Sequence, residues 1–246
     1  MEIQKVAWTA AGRRLTAAAA SVTGNHYDDN YDVLHLEPGR PLAVVADGMG
    51  SGPGSATAGR IAVEVFARTA SAAGPAALRQ ALASAQAEVR RAAGTLDELT
   101  GCTLTAFVAG ETAWIVQIGD SRAYRLRDGL LELLTVDHTI AWLGLLHGWF
   151  TADSAEARAA RYRLTRYVGH PADPEPDVLS VLPQPGDVYL LCSDGVADQL
   201  SYERLSQLLG ANPDPAAAVH VMLEDTLEAG GADNATAVVI KVEQTI

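Results

Sequence analysis

Cysteine is scarce in this chain: there are two, Cys102 and Cys192. Each sits inside an apolar run and they share no metal-ligand spacing, so both read as buried, reduced thiols, which suits a cytoplasmic protein. Basic side chains are also in short supply, 18 Lys and Arg against 30 Asp and Glu, for a net charge of −12. Phosphate-backbone binding needs a clustered basic surface, so nucleic acid is excluded as a partner. No apolar run approaches the ~20 residues of a membrane span. The stretch Ile140–Phe150 falls short and contains His147. Arg13 and Arg14 followed by Leu15–Ser21 resemble an export signal, but the apolar part is too short and runs on toward Asp32, so it reads as a strand. No low-complexity linker divides the 246 residues, of which 48% are hydrophobic. One domain over 1–246 with a sizeable core is expected.

Apolar alternation places strands at Val6–Ala10, Leu15–Val22, Val33–Leu36 and Leu42–Ala46, the last two joined by the turn Pro38–Pro41. Helical spacing follows over Ser55–Ala70 and Ala76–Ala93. Cys102–Ala109, Ala113–Ile118, Ala123–Arg127 and Leu130–Leu134 read as one meander, with turns at Gly110-Glu111, Asp120–Arg122 and Asp128-Gly129. Residues 139–166 are mixed, with helical pieces at Ile140–Leu146 and Ser154–Arg161, and are expected to form a mobile flap. Strands at Asp177–Leu182 and Val188–Cys192, helices at Ser201–Leu209 and Pro215–Ala229, and a strand at Ala235–Val242 complete the chain. Meanders rather than alternating β-α-β units point to antiparallel sheets covered by helices, an α+β layered fold.

Five acidic signals punctuate these elements: Asn30–Asp32, Asp47–Gly50, Gly119–Arg122, Ser193–Gly195 and Asp233-Asn234. Each reads as the end of an apolar run, where a strand delivers a carboxylate to its mouth. A single Asp-Gly marks an ordinary turn. Five in order read as a site for a hard divalent cation, Mg²⁺ or Mn²⁺, whose preferred ligands are carboxylate oxygens.

In this order the motifs resemble those of the metal-dependent serine/threonine protein phosphatases of the 2C type, the PPM family, in their short bacterial form. The family pattern G-x-x-R-x-x-N-x-D, D-G-M-G, G-T, G-D-S-R-x-Y, T-x-D-H, S-D-G-x-x-D and D-N is met by Gly24–Asp32, Asp47–Gly50, Gly101–Thr103, Gly119–Tyr124, Thr135–His138, Ser193–Asp198 and Asp233-Asn234. The resemblance implies a four-layer α-β-β-α sandwich with metals at one end. It also implies hydrolysis of phosphoserine and phosphothreonine in proteins, the substrates of a serine/threonine kinase, by a metal-bridging hydroxide attacking phosphorus in line. By the same resemblance Asp47 bridges two Mn²⁺ or Mg²⁺ ions, the Gly48 carbonyl helps hold the second, Asp194 and Asp233 hold the first, and Asp32 steadies metal-bound water. Asp120 and Asp198, with Asp194, match the holders of a third, weaker ion. A cytoplasmic monomer is expected. Arg122 and His138 read as supports of the fold.

Two departures lie in the first motif. Tyr27 stands where the family's phosphate-gripping arginine usually is, and Tyr31 where an acidic or amide side chain precedes the first Asp. A tyrosine hydroxyl is one neutral donor against a charged fork, so substrate binding by Tyr27, with help from His26, is expected to be weaker or differently arranged. Met49 brings no imidazole to the leaving group and reads as packing. Tyr27 and Tyr31 keep open a weakly active or non-catalytic phosphatase-like binding module, and the string Asp47–Ala56 carries the flavour of a related phosphatase acting on sigma-factor regulators.

Overall fold

Residues 1–96 and 100–243 are described by a computed structural model. Strands β1 (Gln4–Ala10), β2 (Arg13–Val22), β3 (Val33–Leu36) and β4 (Leu42–Ala46) open the chain. Helices α1 (Pro53–Thr69) and α2 (Pro75–Ala93) follow, then β5 (Leu104–Ala109), β6 (Ala113–Ile118), β7 (Arg122–Arg127) and β8 (Leu130–Leu133). Next come α3 (Ile140–Leu146), α4 (Ala155–Ala160), β9 (Asp177–Val181) and β10 (Val188–Cys192). Helices α5 (Asp194–Ala197), α6 (Tyr202–Ala211) and α7 (Pro215–Glu228) lead to β11 (Ala235–Val242). The strands form two antiparallel sheets, ordered β1-β2-β11-β10-β7-β8 and β3-β4-β5-β6-β9.

The central strands are apolar on both faces because both faces are covered. In β11, Val238, Ile240 and Val242 point between the sheets while Ala235, Ala237 and Val239 meet the helices. In β5, Phe107 and Ala109 point between the sheets while Leu104, Ala106 and Val108 meet α1 and α2. Three apolar layers result: one between the sheets, one under α1 and α2, one under α5, α6 and α7. In the middle layer Phe107 and Tyr189 face each other across the sheets with ring centroids 5.5 Å apart. Each fully buried large side chain contributes roughly 1.5–3 kcal/mol of transfer free energy. The α+β sandwich read from the motifs is the fold observed.

Three details correct the sequence reading. The stretch from Cys102 to Leu134 is not one meander: β5 and β6 belong to the five-stranded sheet, β7 and β8 to the six-stranded one. The chain crosses between them at Gly119, whose φ of +104° suits glycine and where an added Cβ would lie 2.6 Å from the Thr103 side chain. Second, β5 begins at Leu104 rather than Cys102, which instead bridges Gly48 and Val168 outside the named strands. Third, Asp32 and Asp233 precede β3 and β11 rather than ending a strand, while Asp47 and Asp194 do follow β4 and β10. The chain from 139 to 166 returns on itself through a Thr139–Leu164 bridge and carries the two short helices α3 and α4.

Candidate metal centre

Asp47, Gly48, Asp120, Asp194 and Asp233 line one cavity of about 220 Å³, together with Tyr27, Tyr31, Met49, Gly50, Thr103, Tyr162, Leu164 and Asn234. Sheet ends deliver the four carboxylates. Asp47 leaves β4, Asp120 stands on the crossover after β6, Asp194 begins α5 directly after β10, and Asp233 precedes β11. The glycine of S-D-G is demanded by this convergence, since a Cβ on Gly195 would fall 2.0 Å from the Asn234 carbonyl oxygen.

Each acidic loop is tied to another by hydrogen bonds. The Asp47 N–H donates to Thr103 Oγ1 at 2.9 Å and the Thr103 N–H returns to the Asp47 carbonyl at 2.8 Å. Asp32 Oδ2 accepts from Ser193 Oγ at 2.8 Å and from Thr236 Oγ1 at 2.7 Å, so Asp32 stands behind the cavity on the strand ends. Asn234 Oδ1 accepts from the Gly24 N–H at 3.0 Å, and its amide nitrogen donates to the Asp29 carbonyl at 3.3 Å, fastening the Gly24–Asp32 loop beside Asp233.

So many acids in one place repel one another. Burial, then the charges of Asp194 and Asp233, lift the Asp32 carboxyl to about 7 despite the hydrogen bonds from Thr236 and Ser193. Burial and Asp233 lift Asp194 to about 6. Asp47 is raised well above the usual range by burial and by Asp32 and Asp194, and Asp120 by burial, Asp194 and Asp137. Asp47 and Asp194 line the same cavity, and each burdens the other's charged form. Among the described residues no three His, Cys, Asp or Glu side chains stand in a ready-made ligand cluster. The donor chemistry nevertheless fits a hard cation. One oxygen each of Asp32 and Asp194, both Oδ1, is buried without a partner, and buried carboxylates are retained when paired or coordinating.

The remaining sequence candidates separate clearly. Tyr27 lines the cavity with Asp233 and meets Tyr31 edge-on, with ring centroids 6.4 Å apart. Burial and Asp233 push the Tyr27 hydroxyl above its ordinary value, so it stays a donor. His26 is exposed and absent from the cavity lining. Asp198 stands in an adjoining cleft, paired with Arg161. Arg122 grips Asp137 with both ends of its guanidinium, at 2.9 and 2.6 Å, which agrees with a supporting role. His138 Nδ1 accepts from the Gly119 N–H at 3.1 Å, leaving Nε2 to donate to Asp177, and burial lowers its pKa. Sequence reasoning assigned no role to Thr103, Ser193 or Thr236, although the first two lie inside quoted motifs. It gave no sign of Arg161.

The family model described as Protein phosphatase 2C matches residues 18–229. The serine/threonine protein phosphatase PstP of Mycobacterium tuberculosis is 34% identical over 238 residues, which cover 93% of this chain and 45% of that protein. The chain thus spans less than half the length of that relative. The serine/threonine phosphatase stp of Listeria monocytogenes is 27% identical over 236 residues, covering 90% of this chain and 92% of that one. A solved structure of the PstP catalytic domain, in complex with two manganese ions, superposes with a TM-score of 0.82 at 32% identity, covering 94% of this chain and 99% of that chain.

Proposed function

This chain belongs to the protein phosphatase 2C family, and from that we propose that it is a metal-dependent phosphatase hydrolysing phosphoserine and phosphothreonine in proteins. The observation that carries the reading is the meeting of Asp47, Asp120, Asp194 and Asp233 around one cavity whose lining, among the described residues, includes no Lys, Arg or His. A phosphate dianion is repelled from such a cavity unless cations neutralise it. We assign Asp47, Asp194 and Asp233, with the Gly48 carbonyl, as the groups that would hold two ions, Mn²⁺ or Mg²⁺, and Asp32 as the acceptor that orients water beside them. PstP, with its two manganese ions, supports the number two. Such a pair supplies the positive field that lowers the pKa of an attacking water and clamps the oxygens of an in-line displacement.

The chain's own residues do the rest. Thr103 holds the Asp47 backbone in place through the paired bonds already described. The Tyr27 hydroxyl, kept protonated beside Asp233, offers the phosphate one neutral donor in place of an arginine fork. Tyr162, 75% exposed, and Leu164 bring the 139–166 segment to the cavity rim. We assign substrate choice to that flap, in a single 1–246 domain acting as a monomer on kinase-phosphorylated proteins in the cytoplasm; the buried thiols Cys102 and Cys192 suit that compartment. A binding-module reading draws on Tyr27 and Tyr31, but the retained carboxylate set weighs against it. Asp47→Asn and Asp194→Asn proteins, folded by circular dichroism, are expected to lose hydrolysis of a phosphothreonine peptide; full activity in either would remove the assignment.

A further inference from the structure

Beside the main cavity lies a smaller cleft bounded by Asp120, Arg122, Asp137, Arg161, Tyr162, Asp194 and Asp198. Asp120, Asp194 and Asp198 are the trio that the sequence suggested for a third ion. The structure fills that position differently. Arg161 Nη2 donates to Asp198 Oδ1, and Arg122 Nη2 stands 3.9 Å from the same oxygen while bound to Asp137. Two guanidinium groups thus already face the acids of the cleft. Its free space is about 10 Å³, room for about one water, whereas Mg²⁺-like ions usually keep several waters of their own.

Arg161 reaches this place because of how its segment is built. Ser154 caps α4 through the Ala157 N–H at 3.1 Å, and Ala157 and Ala160 are buried. The helix ends at Arg161, and the chain then pairs back through Ile140 N–H to the Arg163 carbonyl at 2.9 Å. The guanidinium is therefore carried on an element separate from the sheet ends that bear the acids, and only 21% of the Asp198 side chain stays exposed. We propose that Arg161, its side chain 44% exposed, is a built-in cation occupying the place of a third ion, so that this chain holds two ions and latches its 139–166 segment onto α5 by the Arg161–Asp198 pair. This rests on the two-ion reading above.

The test is the number of Mn²⁺ equivalents bound by the purified chain, read as free Mn²⁺ by electron paramagnetic resonance during titration, with no turnover involved. The wild type is expected to bind two. Arg161→Ala and Arg161→Gln are expected to gain one further equivalent of lower affinity, and to cleave faster within 150–163 under limited proteolysis. Arg161→Ala combined with Asp198→Asn should return to two, and Arg161→Lys, which keeps the cation, should stay at two. Three equivalents in the wild type, or none gained in both Arg161 variants, would overturn the latch. In that event a wild type binding two leaves the metal centre standing, and a wild type binding none removes both readings.

Discussion

Asp47 and Thr103 hold each other by two hydrogen bonds: the Asp47 N–H to Thr103 Oγ1 at 2.9 Å and the Thr103 N–H to the Asp47 carbonyl at 2.8 Å. Thr103 Oγ1 also meets Ser121 Oγ at 2.6 Å, which connects the exit of β4 to the crossover that carries Asp120. One threonine hydroxyl therefore joins two loops of the acidic cavity. Thr103→Val keeps the shape but leaves the Asp47 N–H without its acceptor, at a cost of about 1–3 kcal/mol. Urea unfolding should show that loss, with kcat reduced, and Thr103→Ser should recover most of both.

Stability should depend on pH in an unusual direction. Asp32 is raised from 3.8 to about 7 in the folded chain, so the folded state holds its proton more tightly than the unfolded state does. The stabilisation is complete below about pH 4 and is lost as pH rises through about 7, with Asp32 alone contributing about 4 kcal/mol. With EDTA present, thermal unfolding midpoints should fall between pH 5 and pH 8, and Asp32→Asn should flatten the fall. Added Mn²⁺ should raise the midpoint more at pH 8 than at pH 5, because protons and cations compete for the same oxygens. A midpoint that rises with pH in EDTA would contradict this.

Tyr27 shares the cavity wall with Asp233, and its hydroxyl offers one neutral donor there. Tyr27→Arg should lower KM for a phosphopeptide by about tenfold with little change in kcat, the signature of added ground-state binding. An unchanged or raised KM would show that another group grips the phosphate.

Gly195 leaves no space for a side chain, because its Cβ would stand 2.0 Å from the Asn234 carbonyl oxygen. Gly195→Ala must push the start of α5 away from β11, a backbone displacement expected to cost on the order of 3 kcal/mol. Unfolding of the variant measures the loss, and an unchanged midpoint would mean that the two loops part easily.

Much of this was legible because apolar strands announce themselves. β3, β4, β6, β10 and β11 begin and end where the sequence pattern places them, and Asp47, Asp120, Asp194 and Asp233 could be picked out at their ends. Sheet membership was not legible: a hydrophobic run marks a strand without saying which partner it joins, and the crossover at Gly119 looks like any tight turn. The four-residue α5 is too short to show a helical period. Arg161 meets Asp198 across 37 positions, and no local pattern marks such a pair. His26 sits next to Tyr27 in sequence, yet it points to solvent while Tyr27 faces the acids.

The decisive experiment is hydrolysis of a phosphothreonine peptide by the wild-type chain in Mn²⁺, in Mg²⁺ and in EDTA. Phosphate release that needs either metal and stops with EDTA is the expected result. Release that continues undiminished in EDTA, or none under any metal, would contradict a cation-dependent phosphatase built on Asp47, Asp194 and Asp233.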